Sequence, residues 1–156
     1  GSTEINLISE RELKSSRSYN IGTVRMLSGM VKNEEKEQMH TDLEVLAKEY
    51  APIHIIGSGG NINKLFRLAD KKDKKQLFLP LASLQDIYRT LKDLPKEQRI
   101  KLFKLKPDRA DVIVPAAEIF MEVATRVQAN GIIVPTIGLS DGIIDNLYTK
   151  NKQWMQ

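Results

Sequence analysis

One mixed α/β domain, a sheet with helices on its faces, is the fold class this sequence predicts. Three observations carry that reading. Short apolar runs alternate with stretches of helical periodicity along the whole chain. Turn signals bound nearly every run. The 156 residues contain no internal repeat, low-complexity tract or interdomain linker, and that length suits a single core.

Thr3 to Ser9 alternates polar and apolar residues, and Leu13 to Ile21 is a second extended run, so the chain opens on a β-hairpin. It starts on this strand without a lead-in, as a segment of a larger protein would. A short helix enters at Gly22 and ends near Gly29. Asn33 to Tyr50 places Met39, Leu43, Leu46 and Ala47 at helical spacing, predicting a long amphipathic helix that Pro52 closes. Ile53-His54-Ile55-Ile56 reads as a buried strand, followed by a glycine loop, Gly57 to Asn61, and a helix over Ile62 to Ala69. Lysine-rich Asp70 to Gln76 reads as a solvated loop before the strand Leu77 to Pro80. A helix from Ser83, its cap, to Leu94 follows, and Pro95 opens another that ends near Phe103. Arg109 to Asn130 is the longest helical pattern, with an apolar stripe of Val112, Ile113, Ala116, Ile119, Phe120, Val123, Ala124 and Val127, capped by Gly131. Ile132 to Thr136 is then the final strand, and Gly138 to Gly142 leads into a last helix, Ile143 to Tyr148.

Composition excludes several classes of function. With 24 basic and 20 acidic residues the net charge is +4, which favours anionic ligands but lacks the clustering of nucleic-acid binders. There is no cysteine, so disulfides and thiol chemistry are out, and two histidines without cysteine do not make a structural zinc site. No apolar run reaches membrane-span length and the N-terminus is not a signal peptide. The expectation is a soluble cytoplasmic protein that binds neither membrane nor nucleic acid.

Four segments can carry chemistry. Gly57-Ser58-Gly59-Gly60-Asn61 sits between a buried strand and a helix, where backbone N–H groups and the helix N-terminus suit an anion. The alternative is a tight turn with Asn61 as helix cap. Gly1-Ser2-Thr3-Glu4 offers N–H and hydroxyl donors for phosphate and a carboxylate for Mg²⁺ or a water, or else is a frayed terminus. At Pro107-Asp108-Arg109-Ala110-Asp111 the acids suit helix capping, whereas Arg109 opposes the helix dipole and calls for an anionic partner or a nearby acid. In Gly138-Leu139-Ser140-Asp141-Gly142, helix capping by Ser140 or Asp141 is preferred to ligand contact. His40 and His54 lack ligand spacing and read as structural or solvent-exposed, not catalytic. Lys71, Lys72, Lys74 and Lys75 read as a solvated run that could also attract a polyanion.

In order, these segments resemble the second domain of the Ppx/GppA phosphatase family, within the actin, sugar kinase and Hsp70 superfamily. The chain opens with the last four residues of that family's Asp-x-Gly-Gly-Gly-Ser-Thr-Glu motif. Ser18-Tyr19-Asn20-Ile21-Gly22-Thr23-Val24-Arg25 is similar to its Ser-x-x-x-Gly-x-Val-Arg segment, and Ile56 to Asn61 to its Gly-Thr/Ser-Gly-Gly-Thr motif. Arg109 to Pro115 is similar to Arg-Ala-Asp-Val-Ile-x-Pro, and Leu139 to Ile144 to the region near the domain's end. Asn61 replaces the usual threonine, and Ile144-Asp145-Asn146 lacks the arginine and glycine often found there.

The resemblance implies a ribonuclease-H-like domain forming half of a cleft, with the general base on an upstream first domain. It implies hydrolysis of terminal phosphate from inorganic polyphosphate or guanosine pentaphosphate with Mg²⁺. Glu4 would serve as catalytic residue and metal ligand, and Gly1, Ser2 and Thr3 would hold phosphate. Gly57, Ser58, Gly59, Gly60 and Asn61 would line the cleft, and Arg109 would meet distal phosphates or a guanosine. The expected partners are those ligands and the upstream domain, with a homodimer also open. On this reading the 156 residues alone are inactive. The alternatives are a non-catalytic sensing module of the same fold and a sugar or acetate kinase relative.

Overall fold

The computed structural model describes residues 1–135 and the backbone of residues 147–150. Strand β1 (Thr3–Ser9) buries every second residue and pairs antiparallel with β2 (Glu12–Tyr19). Between them Glu10 and Arg11 both hold positive φ, 54° and 67°, the conformation of a two-residue turn that matches strand twist. The opening hairpin is therefore as expected, with its second strand ending at Tyr19.

Helices α1 (Thr23–Leu27) and α2 (Asn33–Tyr50) follow, and Gly29, with φ 66°, ends the first as the sequence suggests. Then come β3 (His54–Ile56), α3 (Gly60–Leu68), β4 (Phe78–Pro80), α4 (Leu81–Lys92), α5 (Lys96–Phe103), α6 (Pro107–Arg126), β5 (Gly131–Ile133) and β6 (Leu147–Lys150). Three expected caps are corrected. Helix α4 starts two residues before Ser83, with Pro80 at its N-cap and Ser83 buried inside it. Helix α3 is capped by Gly59, which places Asn61 within its first turn. Helix α6 ends on Val127 with Gln128 left-handed, so Gly131 is no cap and instead begins β5. There it has no side chain because Leu79 O and the Phe78 ring occupy the space a Cβ would need.

The described strands form one six-stranded sheet in the order β2-β1-β6-β3-β5-β4. The predicted helix over Ile143 to Tyr148 is wrong at its end, since Leu147 and Tyr148 belong to β6. Tyr148 and Thr149 suit a strand, and tertiary context decides: β6 is parallel to β1 and antiparallel to β3, closing two edges that would otherwise stay unpaired. The rest of that helix and the segment Gly138 to Gly142 lie outside the described residues.

Helix α6 is central, lying against α1, α2, α3, α4 and α5. Its stripe is buried as read from the sequence, apart from half-buried Val112, and Ala110, Pro115 and Ala117 are buried as well. The core continues through Leu43 of α2, Ile55 of β3, Leu65 of α3 and Leu84 of α4, each 1% exposed or less.

At the hairpin's end, buried Tyr19 donates its hydroxyl to Asp42 Oδ2 of α2 at 2.7 Å. Burial, then this bond to a carboxylate, push the phenol well above its ordinary 10.0. A raised pKa means that the folded state holds the proton more tightly, so this contribution is present below pH 10 and fades as pH rises further. Tyr19→Phe should lower stability in urea by about 1 kcal/mol at neutral pH. The difference from wild type should shrink in alkaline titration above pH 10, and an equal gap across that range would contradict the assignment.

Candidate functional site

A cavity of about 280 Å³ opens where the start of β1 meets the start of α3. Gly1, Ser2, Thr3 and Glu4 form one wall, Ser58, Gly59, Gly60 and Asn61 another, and Gly22 and Thr23 join them. Ile62, Ala116, Ile119 and Phe120 supply an apolar floor. Eight residues that the sequence singles out, more than fifty positions apart, thus face one space.

Each wall has a local cause. Buried Thr3 donates its hydroxyl to Ile21 O, tying the first residue of β1 to the chain that leaves β2. Gly22 lacks a Cβ where the Gly1 backbone passes: one would fall 2.5 Å from Gly1 C and O. Glu4 Oε1 accepts from Ser2 Oγ at 2.6 Å and from Ser18 Oγ at 3.0 Å, so two hydroxyls hold the carboxylate. On the facing wall Gly59 has φ 118°, which glycine adopts freely, and α3 starts with no side chain capping it. First-turn N–H groups have no acceptor within their own helix, and the helix dipole adds partial positive charge there.

Two singled-out residues stand behind the walls. Gly57 does not line the cavity, and its N–H is committed to Ile133 O at 2.9 Å. Its role is contact, since a Cβ there would lie 2.8 Å from Phe120 Cε1 and 2.9 Å from Ile132 Cγ2. Arg109 reaches from the first turn of α6 to Asn61, donating from Nη1 to Asn61 Oδ1, with its guanidinium across Gly60. The partner that Arg109 calls for is thus a neutral amide. Neither adjacent acid caps α6 as expected: Lys106 is its N-cap, Asp108 accepts the Arg109 N–H and Asp111 pairs with Lys96.

The apolar floor is what sequence reasoning missed. Its residues read as core positions, and only the approach of α6 to the glycine loop turns them toward a ligand space. Gly22 and Thr23 had a signal, lying within the segment Ser18 to Arg25. The two histidines do not line the cavity, and His40 faces Glu122 at 2.7 Å.

The model of the Ppx/GppA phosphatase family matches residues 1–151. The chain belongs to the Ppx/GppA phosphatase family. No curated protein sequence matches it. Solved structures share its fold: an Aquifex aeolicus Ppx/GppA phosphatase, type II variant, is 22% identical with a TM-score of 0.59, over 86% of this chain and 53% of that one. An exopolyphosphatase from Cytophaga hutchinsonii is 18% identical with a TM-score of 0.62, over 85% of this chain and 53% of that one. The chain spans about half the length of these relatives.

The close contacts at Gly57 give a test of how the loop is held. Phe120 and Ile132 are buried and must shift to admit a Cβ, so Gly57→Ala should destabilise the Ppx/GppA domain by about 1–3 kcal/mol in chemical denaturation. A neutral substitution would show that α6 does not hold the loop.

Proposed function

We propose that this chain is the second half of a two-domain phosphoanhydride hydrolase, which removes the terminal phosphate of inorganic polyphosphate or guanosine pentaphosphate. The observation that carries the reading is the meeting of Gly1 to Glu4 with Ser58 to Asn61 across one cavity. Membership of the Ppx/GppA phosphatase family supports it. On this reading the domain has the ribonuclease-H-like fold of the actin superfamily, and an upstream domain supplies the opposite wall and the general base.

The donors suit a phosphoryl group. N–H groups at the start of α3 and the hydroxyl of Ser2 neutralise negative charge, while the apolar floor keeps bulk water from that side. Glu4, fixed through Oε1, has its second oxygen for Mg²⁺ or for the attacking water. The described residues contain no cluster of three or more His, Asp or Glu. A single carboxylate completed by substrate phosphates and water is nevertheless a usual Mg²⁺ environment, so the donor set fits. Bound there, Mg²⁺ would offset charge on the phosphoryl oxygens during in-line displacement.

Phosphate release by the full-length protein, measured with Mg²⁺ on both substrates, tests the proposal. Glu4→Gln should lower kcat by at least about 100-fold while leaving the fold intact; retained activity would sink the role given to Glu4. The 156 residues alone should release no phosphate, and a rate comparable to the full-length protein would show that one half is sufficient.

A further inference from the structure

A second cavity, of about 290 Å³, lies at the other end of the strands from the first. Strands β3 and β5 run parallel, and the glycine loop leaves the C-terminal end of β3, whereas Pro52, Ile53 and Gly131 put this cavity at the strands' N-terminal ends. Phe78 of β4 forms one side. It stands opposite Ile133 in the ladder, yet its ring leans two residues back along β5, where a Cβ on Gly131 would fall 2.5 Å from Phe78 Cζ. The ring is half-buried, so part of it stays open. Pro52 and Ile133 add apolar surface beside it.

The polar part of the lining carries no fixed charge. In a chain with 28% charged residues, no Lys, Arg, Asp or Glu lines this cavity. Its polar side chains are His54, Gln76, Gln128 and Asn130. Three of them are primary amides, each with a donor and an acceptor side by side. Their backbone is committed: Gln76 N–H donates to Asp73 Oδ1 at 3.0 Å, Gln128 N–H to Thr125 O at 3.2 Å, and Asn130 O accepts from Leu81 N–H at 2.8 Å. Among the described residues the four side chains themselves make no hydrogen bond, unlike the amides of Gln38 and Asn61. A fixed backbone thus presents unengaged amides beside an aromatic ring.

We propose that this cavity binds the adenine ring of a nucleoside. An aromatic face beside neutral amides is the chemistry that holds a base, by stacking and by hydrogen bonds along its edge. Amide side chains pair with N6 and N7 of adenine, whereas guanine is matched by Arg or Lys and cytosine by Asp or Glu, none of which lines the cavity. With no cation to offset phosphate, the site suits the uncharged nucleoside, which separates it from the anion chemistry read at Gly1 to Glu4 and Ser58 to Asn61. Its volume is near the lower end of ligand pockets, roughly 300–1,000 Å³, so a single base fills it.

Calorimetric titration of the 156-residue chain with adenosine, guanosine and purine riboside, which lacks the N6 amino group, tests this. Adenosine should bind saturably at one site, and the other two nucleosides about tenfold more weakly. Q76A/N130A changes two exposed side chains and leaves their backbone bonds in place; it should bind adenosine about tenfold more weakly, whereas Glu4→Gln should bind it as wild type does. The comparison of nucleosides needs no variant, so it decides the matter even if Q76A/N130A fails to fold. No saturable adenosine binding, guanosine bound as tightly, or unchanged affinity in a folded Q76A/N130A would overturn the site. Weaker adenosine binding by Glu4→Gln would also overturn it, by placing the base in the first cavity.

Discussion

The missing side chain at Gly57 sets how near α6 comes to the sheet, and much of the rest follows from that distance. Phe120 and Ile132 occupy the space where a Cβ would stand, and the Gly57 N–H joins Ile133 O. The turn from β3 into α3 is thereby fixed from two sides, by a helix side chain and by a strand carbonyl. With the turn fixed, the N-terminus of α3 faces the start of β1. The glycines of this loop thus do separate physical work: Gly57 permits contact, Gly59 permits a backbone angle, and Gly60 leaves room for a guanidinium.

Helix α6 connects these roles. Its middle supplies Phe120 to the floor, and its first turn carries Arg109 across Gly60. One helix thus reaches both the cavity floor and its glycine wall. An arginine placed at a helix N-terminus against the macrodipole is locally unfavourable. Here it meets the amide oxygen of Asn61, which satisfies a hydrogen bond without cancelling the charge. Positive charge is left where two features converge, the guanidinium and the start of α3.

Most of the architecture was legible because periodicity reports burial directly. The hairpin, the α2 boundaries and the α6 stripe all follow from which residues recur on one face. Helix starts were less legible, since Ser83 and Asn61 have cap-forming side chains whereas Pro80 and Gly59 take the cap positions by backbone geometry alone. Strand β6 was misread because its formation depends on partners distant in sequence, β1 and β3, and not on a local pattern. The walls of the candidate site were visible as glycine and hydroxyl clusters. Its floor was hidden, because an apolar residue on a core helix looks the same whether its neighbour is another side chain or an open space.

The place of β6 in the sheet also bears on how the chain is made. It stands between the hairpin β2-β1 and the group β3-β5-β4, and it is the last of the described strands to leave a ribosome. Until it emerges, β1 and β3 each present an open edge, and no ladder joins the two groups. Pairing β1 with β6 links residues at opposite ends of the sequence, the kind of distant contact that forms slowly. During synthesis the nascent domain therefore passes through a stage with exposed, hydrogen-bond-hungry edges, a natural point for chaperone capture or for unwanted pairing between neighbouring chains.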